Sequence, residues 1–165
     1  MRIMGIDPGT AIVGYCILDV KSSNREDEYV IIDSGSIQTD KKLDQSQRLL
    51  EIFNDLEYLL DKYTPDIAAV EQIFFFKNAK TIIPVCEARG VIIMALRKHN
   101  IPSYQYTPLV VKQTITGYGR ADKDEVKQMV SSILNVKSLP KLDDANDAVA
   151  IAICHARQQE HLNRI

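Results

Sequence analysis

Three strand-like runs stand one after another ahead of the first helical pattern, and that order limits the folds open to this chain of 165 residues. Residues 2–7 are mainly apolar, and residues 11–20 (Ala-Ile-Val-Gly-Tyr-Cys-Ile-Leu-Asp-Val) follow a Pro8-Gly9 turn. A third run, 29–38, comes after the polar stretch Lys21 to Glu28, which reads as a hairpin loop. Only then does the period change. From about Asp44 to Tyr63, Leu49, Leu50, Phe53, Leu56, Leu59 and Leu60 recur at helical spacing. A short strand from Ile67 to Val70 ends at Glu71, a helix spans about 79–98, and residues 103–106 make a last strand. Another helix begins near Asp122, which with Glu125 makes a capping-box-like pair, and the final one runs from about Asp144 to Gln159. This succession predicts an α/β fold, a five-stranded mixed sheet with helices on both faces. No linker divides the chain, so residues 1–165 are expected to form one domain.

The helix at 79–98 is unusual in carrying apolar residues on more than one side. Ile82, Ile83, Cys86, Ile93 and Met94 lie on one face, and Val85, Ile92 and Leu96 spread onto another. That width calls for two partners, the sheet and a second subunit. Pro84 is expected in its first turn, where a missing N–H matters little.

Hydrophobic residues make up 45% of the chain, enough for a full core. The three cysteines, Cys16, Cys86 and Cys154, are far apart and set in apolar stretches, as reduced core thiols would be. No leader-like segment and no apolar stretch of membrane-spanning length is present, so a soluble, cytoplasmic protein with no membrane partner is expected. The formal charge is only −2, yet it is unevenly spread. Residues 1–73 hold 7 Lys and Arg against 14 Asp and Glu, whereas residues 74–132 hold 9 against 4. A basic middle beside acidic segments suits a polyanion approaching a carboxylate site, and is also compatible with ordinary surface variation.

Four acids occupy positions that these elements would bring together. Asp7 ends the first strand, and Glu71 emerges from the apolar strand Ala68-Ala69-Val70. Asp144 and Asp147, three apart, share one helix face. A cluster of four carboxylates is unfavourable without cations, and hard oxygen donors in that number suit Mg²⁺ or Mn²⁺. Two such ions can activate water and stabilise the leaving oxygen of a phosphodiester. Each acid also has a structural reading. Asp7 before Pro-Gly is a good turn former, Glu71 could pair with Lys77 or Lys112, and Asp144 with Asp147 fits an N-cap and third-position pair.

Beside Glu71 lie Phe74, Phe75 and Phe76, three adjacent aromatics that cannot all enter one core. One could stack on an unpaired base. Lys112 and Lys123 flank Gly117-Tyr118-Gly119-Arg120, a loop able to close over a phosphate backbone, although solvated lysines are the ordinary alternative. His99, His155 and His161 are scattered and read as surface or core residues.

Taken together, these segments resemble the RuvC family of Holliday junction resolvases. The resemblance rests on Gly-Ile-Asp-Pro-Gly-Thr at 5–10 with Gly14-Tyr15, on Glu71-Gln72-Ile73-Phe74 followed by Lys77-Asn78, and on Ala88-Arg89-Gly90. It continues through Val111-Lys112-Gln113-Thr114 and Gly117-Tyr118-Gly119 to Asp144-Ala145-Asn146-Asp147-Ala148. It implies a ribonuclease H-like fold, a homodimer, and Mg²⁺-dependent resolution of four-way DNA junctions by paired symmetric nicks, with two ions per site. Asp7, Glu71, Asp144 and Asp147 would be the metal-binding catalytic acids. Lys112 and Lys123 would match basic residues implicated in activity, and Phe74, Lys77 and Arg120 would contact DNA. The RuvA–RuvB branch-migration complex is the implied bacterial partner. The slight net acidity and the absence of a basic tail bear on DNA affinity, and leave room for a phage-type branched-DNA nuclease of looser specificity.

An alternative from another class starts from the same Gly-Ile-Asp-Pro-Gly-Thr run, which resembles the first phosphate loop of actin- and Hsp70-like nucleotide-binding proteins. Those proteins close two such domains around the nucleotide, and no second phosphate loop is present here.

Overall fold

Strand β1 (Arg2–Asp7) is central because its apolar residues are buried on both sides. Ile3 enters one core, while Met4 and Ile6 enter another on the opposite face. The computed structural model describes residues 1–21, 27–73, 79–136, 139 and 143–163. Within it, β2 (Ile12–Lys21), β3 (Glu28–Gln38), β4 (Ile67–Glu71) and β5 (Ser103–Tyr106) join β1 in a five-stranded sheet of order β3-β2-β1-β4-β5. The β1–β2 and β2–β3 pairs are antiparallel, and the β1–β4 and β4–β5 pairs are parallel, so the sheet is mixed as expected. Most of the loop between β2 and β3 lies outside the described residues.

Helices α1 (Gln45–Tyr63) and α2 (Ala79–Lys98) cover one face of the sheet. Ile52, Leu56, Leu60, Ile92 and Leu96 meet Met4, Ile6 and Val70 there. Helices α3 (Pro108–Thr116), α4 (Lys123–Ile133) and α5 (Asp143–Asn163) cover the other. Val111, Ile115, Val130, Val149 and Ile153 pack there on Ile3, Leu18 and Ala69. Two of the helix starts are set by reciprocal capping. Asp44 accepts from the Gln47 backbone N–H at 2.9 Å while the Gln47 side chain accepts from Asp44 N–H at 3.0 Å. Asp122 and Glu125 do the same at 2.9 and 2.7 Å.

Several expectations need correction. Leu50 is 58% exposed, and Ile52 takes the core position, because at 100° per residue Leu50 falls outside the arc of Leu56, Leu59 and Leu60. Pro84 is the sixth residue of α2 rather than part of its first turn, so its missing N–H leaves one carbonyl of the helix unbonded by the backbone. Cys86 is exposed, unlike the buried Cys16 and Cys154. The structure also contains a helix that the periodicity did not resolve. Helix α3 has nine residues, with Thr107 as N-cap, Pro108 in its first turn and Gly117 closing it at φ 78°. Lys112 therefore stands in mid-helix, fixed by its backbone.

Candidate active site

Alternation along the strands decides which face the acids occupy. Ile3 and Ala69 belong to the core beneath α5, so Asp7 and Glu71, an even number of residues on, emerge on that same face. The parallel register pairs Ile6 with Val70, which leaves Asp7 and Glu71 side by side where the two strands end. Their carboxyls are close enough to share a hydrogen bond.

Helix α5 reaches them because the sheet beneath it is stripped of side chains. A Cβ on Gly14 would stand 2.1 Å from the Asp144 carbonyl oxygen, and one on Gly5 would stand 2.1 Å from that of Ala148. The helix answers with Ala145, Ala148 and Ala152, all fully buried. Backbone therefore lies almost directly on backbone, and the first turns of α5 end up over the strand termini. Asp144 and Asp147 are its second and fifth residues. The helix begins at Asp143, so Asp144 is not its N-cap.

The electrostatics record this convergence. Burial pushes the Asp7 carboxyl up to about 8, and the negative charges of Glu71, Asp147 and Asp144 add to the effect. Glu71 is raised as well, by burial and by Asp147, while Lys123 and Lys112 pull it the other way. Lys123 reaches across from α4, its Nζ 3.1 Å from Asp147 Oδ2, and that contact raises its own pKa. Next to it Lys127 Nζ holds Asp143 at 2.6 Å. A cavity of about 240 Å³ opens over the group, lined by Glu71, Lys112, Lys123 and Asp147 with apolar walls from Val111, Val126 and Ile151.

Among the described residues no three or more His, Cys, Asp or Glu side chains form a ready-made cage for a metal ion. The acids are instead held in two pairs, Asp7 with Glu71 and Asp147 with Lys123. The donor chemistry still fits a hard divalent cation. Every candidate ligand is a carboxylate oxygen, and the burial and mutual repulsion that keep a proton on Asp7 are what such a cation offsets. Phe74 and Lys77 lie outside the described residues, and with them the pairing of Glu71 with Lys77. Arg120 is exposed, two residues before the Asp122 cap of α4. His155 is a core residue, fully buried, with its Nδ1 2.7 Å from the Tyr106 hydroxyl. Burial lowers its pKa and keeps it neutral.

The model of the crossover junction endodeoxyribonuclease RuvC family matches residues 3–155. The chain belongs to the RuvC family. The chain is 49% identical over 164 residues to the crossover junction endodeoxyribonuclease RuvC of Halothermothrix orenii, covering 99% of this chain and 96% of that one. It is 48% identical over 155 residues to the RuvC of Caldicellulosiruptor saccharolyticus, covering 94% and 92%. Among solved structures it is similar to Thermus thermophilus RuvC, free and in complex with a Holliday junction substrate. Both superpose with a TM-score of 0.89 at 30% identity, over 98% of this chain and 96% of that one. The sheet order and the helices on both faces are thus those of the ribonuclease H-like fold of RuvC proteins. No described helix is long and apolar enough to cross a membrane.

Proposed function

We propose that this chain is a structure-selective endonuclease that resolves four-way DNA junctions by paired symmetric nicks, in recombination and repair in the cytoplasm. The observation that supports the reading most is the convergence of Asp7, Glu71, Asp144 and Asp147 beside two lysines in a chain of the RuvC family. In this reading residues 1–165 act as one nuclease domain, and the four acids hold two Mg²⁺ ions, with Mn²⁺ able to substitute. Held by Asp7, Glu71, Asp144 and Asp147, such ions would supply Lewis-acid chemistry, lowering the pKa of an attacking water and stabilising a departing 3′ oxygen, which would leave 5′-phosphate ends.

The chain's own residues do the rest. Asp7 and Glu71, half-buried and side by side, favour a proton between them that bound cations would displace. Asp147 keeps Lys123 charged, so an ammonium stands at the rim where a phosphate must arrive. Lys112, presented by α3 into the same cavity, adds a second positive charge. Two cations at fixed positions suit a phosphodiester, whose negative charge grows at its non-bridging oxygens during displacement. Phe74, Lys77 and Arg120 complete the DNA contacts in this reading.

Helix α2 supports a homodimer. Ile83 and Met94 are 62% and 56% exposed, and Cys86 and Gly90 lie between them on the same side of the helix. A glycine in mid-helix costs about 1 kcal/mol relative to alanine, and among the described residues nothing comes within 4 Å of a Cβ placed on Gly90. Close approach by a second copy accounts for both features and presents two sites to symmetry-related strands. The RuvA–RuvB complex is the partner expected to deliver junctions. In the test, Asp7→Asn and Glu71→Gln are compared with wild type by junction gel shift in EDTA and by nicking in Mg²⁺. Both variants should bind and fail to cut. Full nicking by Asp7→Asn would overturn the assignment.

A further inference from the structure

Helix α3 carries Lys112 to the catalytic cavity, and polar side chains of α5 grip it from the opposite flank. The carbonyl of Thr114, near the end of α3, lacks its helical partner. The Tyr118 N–H, four residues on, donates instead to Thr116 Oγ1 at 3.1 Å. Arg157 Nη1 takes that carbonyl at 3.3 Å, a cation set where the negative end of the helix dipole lies. Gln158 Nε2 donates to the Thr114 hydroxyl at 3.0 Å, and the buried Cys154 thiol shares a hydrogen bond with the same side chain. Thr114 thus meets three side chains of α5.

These bonds matter because the rest of the packing around α3 is apolar. Val111 and Ile115 belong to one core with Ala150, Ile151 and Cys154 of α5, joined by Val126 and Val130 of α4. Apolar burial has no direction, so it leaves a nine-residue helix able to roll about its axis. The Tyr106 hydroxyl, 2.7 Å from His155 Nδ1, tethers only the chain that enters α3. Two helical residues, or about 200°, separate Lys112 from Thr114, so their side chains leave α3 on opposite flanks. On α5, Asp147 and Gln158 stand about three turns apart on one stripe with Ile151 and Cys154. The Lys112 flank lines the cavity with Asp147, and the Thr114 flank meets Gln158. A roll that breaks the Gln158 contact therefore swings Lys112 relative to the acids. Side-chain tips lie about 6 Å from a helix axis, so a roll of about 20° moves the ammonium by about 2 Å. Misplacement by about 1 Å at a reacting centre can cost about 10²-fold.

We propose that Thr114 is a positioning residue: clasped by Gln158 and Arg157, it fixes the rotation of α3 and so the place of Lys112 beside Glu71 and Asp147. The inference rests on the nuclease reading above. Its test measures single-turnover nicking of a labelled four-way junction in Mg²⁺ at saturating protein, with junction binding in EDTA and thermal melting alongside. Thr114→Val keeps the shape and removes the hydroxyl. It should nick about tenfold more slowly, while its Kd and melting temperature stay near those of wild type. Gln158→Leu should show the same defect, and Thr114→Ser, which retains the hydroxyl, should nick at the wild-type rate. In a Lys112→Gln background, Thr114→Val should add no further loss, because the group it positions is gone. If wild type cuts and both Thr114→Val and Gln158→Leu cut as fast, the clasp positions nothing. An equal further loss in the Lys112→Gln background, or the same loss in Thr114→Ser, shows an effect that does not pass through Lys112 and overturns the proposal. A wild type that leaves the junction uncut removes the nuclease reading, and this inference with it.

Discussion

At Asp7 a proton substitutes for a cation. The carboxyl keeps that proton up to a pH of about 8 in the folded protein but releases it near its ordinary 3.8 when the chain unfolds. Folding therefore takes up a proton between those values, and stability conferred below pH 4 is lost as pH rises toward 8. Melting curves in EDTA should show Asp7→Asn gaining on wild type across this window. At pH 8 the gain should reach about 2 kcal/mol, or roughly 4–8 °C for a domain of this size. An equal difference at pH 4 and pH 8 would contradict the account. Mg²⁺ should act in the same direction, raising the wild-type melting temperature more at pH 8 than at pH 6, because protons compete for the same oxygens. The position of Asp7 was legible in the sequence, since a lone charge at the end of an apolar strand needs a partner. So was its convergence with Glu71, and the parallel register of two strands sixty residues apart adds that the two acids stand directly side by side.

Helix α5 works as a positioning rod only because β1 and β2 let it close. Gly14→Ala would set a methyl group 2.1 Å from the Asp144 carbonyl, so the helix must lift at the end that carries the acids. The expected loss is about 3 kcal/mol in denaturant unfolding, together with most nicking activity. Unchanged stability in that variant would mean the helix is not seated as described. This contact explains the limits of the sequence reading. The shared face of Asp144 and Asp147 follows from a spacing of three, whereas the crossing of α5 over the strand ends is set by glycines whose role appears only once the helix is in place. Helix α3 was signalled by Thr107-Pro108 and Gly117, but nine residues give too few turns for apolar periodicity to register. The exposed side of α2 was foreseen from its broad apolar surface, though Ala88 and Ala95, too small to stand out, share its buried side with Ile92 and Leu96.

For the whole molecule, the helix arrangement divides the tasks between the sheet faces. One face carries the acids and the lysines, and the other carries α2 with its exposed apolar residues Ile83 and Met94. If a second copy covers these residues, Ile83→Lys combined with Met94→Lys should halve the mass seen by light scattering to that of a single 18.6 kDa chain. A double variant that remains dimeric would place the interface elsewhere. The slightly acidic net charge, concentrated in residues 1–73, is compatible with DNA binding because the basic groups gather where α3 and α4 frame the cavity. The most direct test of the account is cleavage of an end-labelled four-way junction beside matched duplex and fork, in Mg²⁺ and in EDTA. Two cuts at symmetry-related positions of the junction are expected, in Mg²⁺ alone, with duplex and fork left intact. Comparable cutting of all three substrates, or cutting in EDTA, would contradict it.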